Sequence, residues 1–301
     1  MMKKSTGILA VVAAMLLMAC HEKDRRTYDL PDGQNAVYYW RTDLQLDSSE
    51  RAFLKRYHIN KMYCRYFDVV MDTAQGPMPN ATLTFSDTLP VGVEMVPTVY
   101  ITEDCMHERH EGLARKLVKR IRQMNETNDV SGVSELQIDC DYTARSRKLY
   151  YEFLEEVAKE WSSPQNPSSI RPTLSTTIRL HQLSMAVPPV DYGVLMLYNT
   201  GDPRKFQERN PILDLRDVMP YVGRLNDYAL PLAAAYPVYL WQRNIYGVRI
   251  EHTVEADEIL RVKAAVEKRR RNLSRCIVTY HLDKENINRY NPETYEEIYH
   301  H

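Results

Sequence analysis

Leu136-Gln137-Ile138-Asp139-Cys140-Asp141 alternates apolar and polar side chains without a break. Successive side chains of a strand point to opposite faces, so the stretch reads as a strand with Leu136, Ile138 and Cys140 on one side and Gln137, Asp139 and Asp141 on the other. The apolar set is expected to face covering helices, and the polar set to face the inside of a barrel with both aspartates at its C-terminal mouth, where barrel enzymes carry their chemistry. Two carboxylates at this spacing lie about 6 to 7 Å apart at their Cα atoms. Like charges that close push one pKa upward, as a general acid requires.

This strand, over 133–140, is the fourth of eight apolar runs rich in Val, Ile, Tyr and Leu. The others cover 36–40, 61–67, 94–101, 172–180, 192–199, 230–241 and 275–281. Helical spacing is clearest between them at 48–57, 108–124, 143–161, 213–228 and 255–272. Ser48 and Ser49 read as a helix cap, and Asn125 and Asn128 as stop signals. In the third of these helices Leu149, Phe153, Leu154 and Val157 share one side, opposite Glu152, Glu155, Glu156 and Lys159, as in a helix packed on a sheet. The crossovers at 70–93 and 181–191 show no convincing helix. Eight strands with interleaved helices over 36–301 match the size of a (β/α)8 TIM barrel, in one domain. An open doubly wound sheet would carry a Gly-rich phosphate turn after its first strand. With only 10 glycines in 301 residues, no GxGxxG and no P-loop, nucleotide cofactors are not expected.

Lys plus Arg number 39 against 40 for Asp plus Glu, which leaves no basic field for a phosphate backbone and argues against nucleic-acid binding. Tyr outnumbers Phe by 21 to 5, so most aromatic side chains carry a hydroxyl that needs a partner, water or a polar ligand.

Lys3 and Lys4 precede an unbroken apolar stretch at 8–19, too short to span a bilayer core as a stable helix and suited to a secretory signal. It ends in Leu17-Met18-Ala19-Cys20, which resembles the bacterial lipobox. The resemblance implies a signal peptide over 1–19, lipidation of Cys20 with membrane attachment through its acyl chains, and a polar tether over 20–35. Glu22 and Asp24 are similar to the surface-export signal of Bacteroidetes lipoproteins. The expected location is the cell envelope, on the bacterial outer membrane, facing the periplasm or the surface. Cys64, Cys105, Cys140 and Cys276 are even in number in a disulfide-permitting compartment, yet three lie inside strands as ordinary small apolar residues, and no bridge is assigned.

The fourth and sixth strands resemble those of the glycoside hydrolase family 18 superfamily, which includes chitinases and endo-N-acetylglucosaminidases. Where that family has Asp-x-Asp-x-Glu, this chain has Gln137-Ile138-Asp139-Cys140-Asp141; where it has Met-x-Tyr-Asp, this chain has Met196-Leu197-Tyr198-Asn199. The chain is also similar to uncharacterised barrel lipoproteins of gut Bacteroidetes. The resemblance implies a glycan partner and no cofactor. It makes Asp141 the acid that protonates the glycosidic oxygen, Asp139 the residue that orients the acetamido group as internal nucleophile, and Tyr198 a hydrogen-bond donor to that group. Three positions depart from the pattern: Asp141 is one methylene shorter than the family's Glu, and Gln137 and Asn199 each replace an Asp. A misplacement of about 1 Å can cost on the order of 100-fold in rate.

Substrate contacts are expected from Gln137, Asn199, Trp40, Arg65 and Trp241, the last as an aromatic floor for a sugar ring or as plain core packing. Arg41, Asp68, Glu103, Asp104, Arg179, His181, Gln242, Tyr280 and His281 also fall at strand ends. His181 and His281 lack a third ligand at metal spacing, so no metal site is expected. Arg65 shares a face with Tyr63 and Phe67 and could reach Asp139, holding it ionised or orienting it. The basic run 268–271 reads as the solvated end of a helix. Two functional classes follow: a hydrolase of β-linked N-acetylhexosamine bonds by the substrate-assisted retaining route, or a noncatalytic carbohydrate-binding or scaffolding lipoprotein. A hydrolase of another type on the same fold is a third. Catalysis requires Asp139 and Asp141 open to a cleft beside Tyr198; binding alone is compatible with an aromatic cleft whose carboxylates are locked to Arg65 or capped.

Overall fold

The structure is a computed structural model and describes residues 28–163, 171–201, 209–245 and 248–301. The signal stretch, Cys20 and the first half of the tether lie outside these residues. Eight parallel strands close into a barrel: β1 Gln34–Tyr39, β2 Ile59–Asp72, β3 Glu94–Ile101, β4 Glu135–Asp139, β5 Thr173–Ile178, β6 Tyr192–Met196, β7 Leu232–Pro237 and β8 Cys276–Tyr280. Each pairs with the next, and β8 pairs with β1 from Gln34 opposite Cys276. The expected (β/α)8 fold is the one observed.

Helices α1 Ser48–Arg56, α2 Leu113–Thr127, α3 Arg147–Trp161, α4 Leu215–Val222, α5 Ala256–Arg269 and α6 Pro292–Ile298 surround the sheet. The cap of α1 is Asp47, not Ser48 or Ser49. Its carboxylate accepts from the Glu50 amide at 2.8 Å while Glu50 Oε2 accepts from the Asp47 amide at 2.9 Å, a reciprocal box closed to Ser48 and Ser49 because Arg51 and Ala52 stand three residues after them. Asn128 ends α2 by donating to the Met124 carbonyl, whereas Asn125 stays inside the helix. On α3 the buried face is Tyr150, Phe153, Leu154, Val157 and Trp161, with Leu149 at its margin.

As the sequence suggested, neither the second nor the fifth crossover contains an α-helix among the described residues. In the second, β2 runs on and folds back on Gly76–Asn80; in the fifth only the short turn Leu180–Ser184 appears. Helix α6 carries no helical run in the sequence long enough to announce it, although Asn291 and Pro292 are a cap and first-turn pair. Its Tyr295 packs with Phe53 and Tyr57 of α1, closing the ring of helices.

The tyrosine excess is explained inside the barrel. Glu135, Gln137, Ser175, Tyr63 and Tyr192 point inward and are fully buried. Glu135 Oε1 accepts from Tyr192 and Ser175, each at 2.5 Å, and Oε2 from Lys61 at 2.7 Å. The Tyr63 and Tyr192 hydroxyls meet at 2.6 Å, and Tyr38 donates to Gln137 at 2.9 Å. Burial works against the Lys61 charge, but Glu135 and Glu94 outweigh it and raise its pKa. Tyr28 stacks on Tyr192 at 5.2 Å and covers this N-terminal end of the barrel.

Breaking a buried ion pair on one side costs about 3 to 5 kcal/mol because the other charge is stranded. Lys61→Met is therefore expected to lower the unfolding free energy by that margin, and Lys61→Met combined with Glu135→Gln to recover most of it, as read by urea denaturation at pH 7.

Candidate functional site

At the C-terminal end of β4 the inward face continues from Gln137 to Asp139, and Asp141 follows on the loop. Asp139 is buried, with 3% of its surface exposed, while the Asp141 side chain is 49% exposed at the rim. A single arginine from the neighbouring strand end holds both. Arg179 reaches Asp139 Oδ1 with Nη2 at 3.2 Å and engages Asp141 Oδ1 through Nε. Thr177, two residues earlier on β5, donates to Asp139 Oδ1 at 2.5 Å. Burial raises the Asp139 pKa, and Arg179 opposes the shift. Burial also works against the Arg179 charge, but the two aspartates outweigh it, so its pKa is raised.

The expected partner of Asp139 was Arg65, and the structure corrects this. A bulge between Arg65 and Phe67 shifts the register of β2, so that Arg65 lies opposite Thr98 while Phe67 lies opposite Val99. Thr98 continues to inward-facing Gln137 and Val99 to outward-facing Ile138. Phe67 therefore turns outward, where Arg120 of α2 lies over its ring at 5.1 Å. The same bulge returns Asp68 to the inner face, and Arg65 binds it with both Nε, at 2.7 Å to Oδ1, and Nη2. Thr173, Ser175, Thr177 and Arg179 form a polar period-two series that the sequence displays, with Arg179 at the rim; the pairing with Asp139 comes from the neighbouring strand.

Tyr198 stacks on Tyr280 at 4.8 Å and meets the Tyr239 ring edge-on at 6.1 Å. Its hydroxyl is buried without a hydrogen-bond partner among the described residues, and burial raises its pKa. Arg179 Nη1 is likewise buried and unpartnered there. Asn199, in a left-handed conformation at φ 53°, accepts from the Tyr239 hydroxyl at 2.5 Å. Trp40 packs against Tyr280 and Tyr38, each at 5.7 Å, and the Arg65 guanidinium lies 5.7 Å from its ring centre.

Three expected contacts are displaced. Gln137 sits below the rim, completely buried, and spends its amide on Tyr38 and Ser175. Trp241 does not end a barrel strand: β7 stops at Pro237, and Trp241 opens an antiparallel ribbon, Trp241–Ile245 against Val248–His252, with its ring 6.0 Å from His252. Asn199 is occupied by Tyr239. His181 is exposed, and His281 lies 3.6 Å from Asp283. Cys64, Cys105, Cys140 and Cys276 are buried free thiols. Among the described residues no three of His, Cys, Asp and Glu converge to hold a metal ion.

No protein-family model matches this sequence, and no curated protein matches it. Solved structures do. A chitinase from Bacteroides thetaiotaomicron superposes with a TM-score of 0.59 at 10% identity, covering 89% of this chain and 95% of that one. A glycoside hydrolase family 18 N-acetylglucosaminidase from Paenibacillus barengoltzii gives 0.54 at 9% identity over 88% and 98%. YKL-39, solved in the presence of chitooligosaccharides, gives 0.56 at 6% identity over 88% and 98%. The likeness is one of fold, the (β/α)8 barrel. Within it, the β4 terminus that the sequence reading singled out carries an arginine-bridged aspartate pair.

Removing Arg179 strands two facing carboxylates, one of them buried. Arg179→Met should destabilise the barrel by about 3 kcal/mol at pH 7. The loss is expected to shrink towards pH 4. With the Asp139 pKa raised further in the folded variant, the unfolded chain binds fewer protons above about pH 4, so stability falls as pH rises. Urea midpoints of both proteins at pH 4 and pH 7 check the sign.

Proposed function

We propose that the protein is a lipid-anchored (β/α)8 barrel of the bacterial cell envelope that binds N-acetylhexosamine-containing glycan at its mouth without cleaving it. The carrying observation is the bridge from Arg179 to Asp139 and Asp141. A substrate-assisted hydrolysis needs one carboxyl free to deliver a proton to the leaving oxygen and another free to orient the acetamido group. Here the same guanidinium occupies an oxygen of each. The acid position also carries Asp, whose carboxyl is set back by a methylene from where a Glu would present it.

Glycan binding is supported by the likeness of fold and by the rim itself. Trp40, Tyr198, Tyr239 and Tyr280 form a connected aromatic series, and aromatic faces with a few polar groups between them suit the apolar faces and hydroxyls of a sugar. Within this series the Tyr198 hydroxyl is buried and has no hydrogen-bond partner among the described residues. Anchorage rests on the lipobox-like Leu17–Cys20 sequence and places the barrel outside the cytoplasm. Hydrolysis is the second reading, favoured by the half-exposed position of Asp141.

Chitooligosaccharides titrated into the purified mature chain are expected to bind, with no release of shorter products by mass spectrometry. Trp40→Ala should weaken binding by about tenfold, the loss of a stacking contact of about 1 to 1.5 kcal/mol. Turnover that Asp141→Asn abolishes would install the hydrolytic reading in place of this one.

A further inference from the structure

Where the chain enters the fold, it is tied to the bottom of the barrel, the end opposite the mouth. Tyr28 stacks on Tyr192, the first residue of β6, and Leu30 is buried. Arg275, immediately before β8, pairs with Asp29 through Nη1 and with Asp32 through Nε at 2.8 Å. These contacts place residues 28–32 against the N-terminal ends of the strands. An extended chain covers at most about 3.6 Å per residue, so the stretch from Cys20 to Tyr28 spans no more than ~29 Å.

The same corner carries the basic run that the sequence left as a solvated helix end. Helix α5 runs antiparallel to the strands it covers, so its C-terminus lies at the bottom. Lys268, Arg269 and Arg271 are exposed there, and Arg271–Arg275 forms the short turn that leads into β8. Arg269 donates to the Gly223 carbonyl, whereas Lys268 and Arg271 have no acidic partner among the described ion pairs. Glu267, the residue before Lys268, is paired with Lys263 at 2.6 Å, and Asp29 and Asp32 are paired with Arg275. Lysines and arginines beside a lipid anchor are drawn to anionic headgroups over about a Debye length.

We infer that the barrel stands on the membrane by its N-terminal rim, with Lys268 and Arg271 against anionic phospholipid headgroups and the Arg179 mouth directed away from the bilayer. This rests on lipidation of Cys20. A mouth so oriented meets polymeric glycan held beyond the membrane plane rather than the sugar of a lipid in the same leaflet.

The test uses the mature chain purified from membranes, whose intact mass reports whether Cys20 carries acyl chains. Since the four other cysteines are buried, a dye can be attached at Asn272→Cys on the bottom or Arg145→Cys near the mouth. In nanodiscs containing phosphatidylglycerol and a headgroup-borne quencher, the dye at 272 is expected to be strongly quenched and the dye at 145 to keep its intensity. Lys268→Glu with Arg271→Glu, or neutral lipid throughout, should reduce the contrast between the two. Equal quenching at both sites, or stronger quenching at 145, in an acylated chain overturns the orientation alone. A mass showing unmodified Cys20 overturns the anchor and, with it, this placement.

Discussion

A sheet closed on itself must fill its own interior, and here it does so with groups that require partners. Lys61, Glu135, Gln137, Ser175, Tyr38, Tyr63 and Tyr192 occupy space that branched aliphatic side chains take in many barrels. Each becomes affordable only because another strand brings its partner to the same level: Lys61 from β2 and Tyr192 from β6 converge on Glu135 from β4. A slip of one residue in any of these strands would bury a charge without a partner and turn an aliphatic face inward. The polar interior therefore specifies register as much as it stabilises the fold.

The mouth continues that logic one layer higher. Asp139 is the next inward residue after Gln137, and Arg179 and Thr177 reach it from β5 as Ser175 reaches Glu135 below. A position that resembles a catalytic acid pair is thereby built as part of a structural ladder. The bulge in β2 has the complementary effect: by spending one extra residue it gives Arg65 its own carboxylate in Asp68 and leaves Asp139 to Arg179. Two ion-pair systems, Arg65 with Asp68 and Arg179 with Asp139 and Asp141, then flank an aromatic rim.

The two ends of the barrel are chemically distinct. The mouth presents stacked rings and arginine-bound aspartates. The bottom presents the entering chain, its Arg275 clamp and the basic end of α5. The entering chain and the Arg179 mouth are separated by the length of the strands.

What the sequence determined by itself was local and periodic. Apolar runs rich in Val, Ile, Tyr and Leu marked all eight strands, alternation over two residues marked the faces of the fourth, helical spacing marked five of the six α-helices, and the missing helices of the second and fifth crossovers were visible as missing. The inward course of Asp139 followed from the same alternation. The short α6 escaped because two turns carry too little periodicity to separate from a loop. Only the tertiary structure decided which cation meets Asp139, that Gln137 lies beneath the rim and that Trp241 belongs to a ribbon. Those outcomes depend on bulges, strand ends and register between segments some forty residues apart, as Asp139 and Arg179 are. The alternation of one strand contains no information about the stagger of its neighbour, and it is that stagger which brings a charge to its partner.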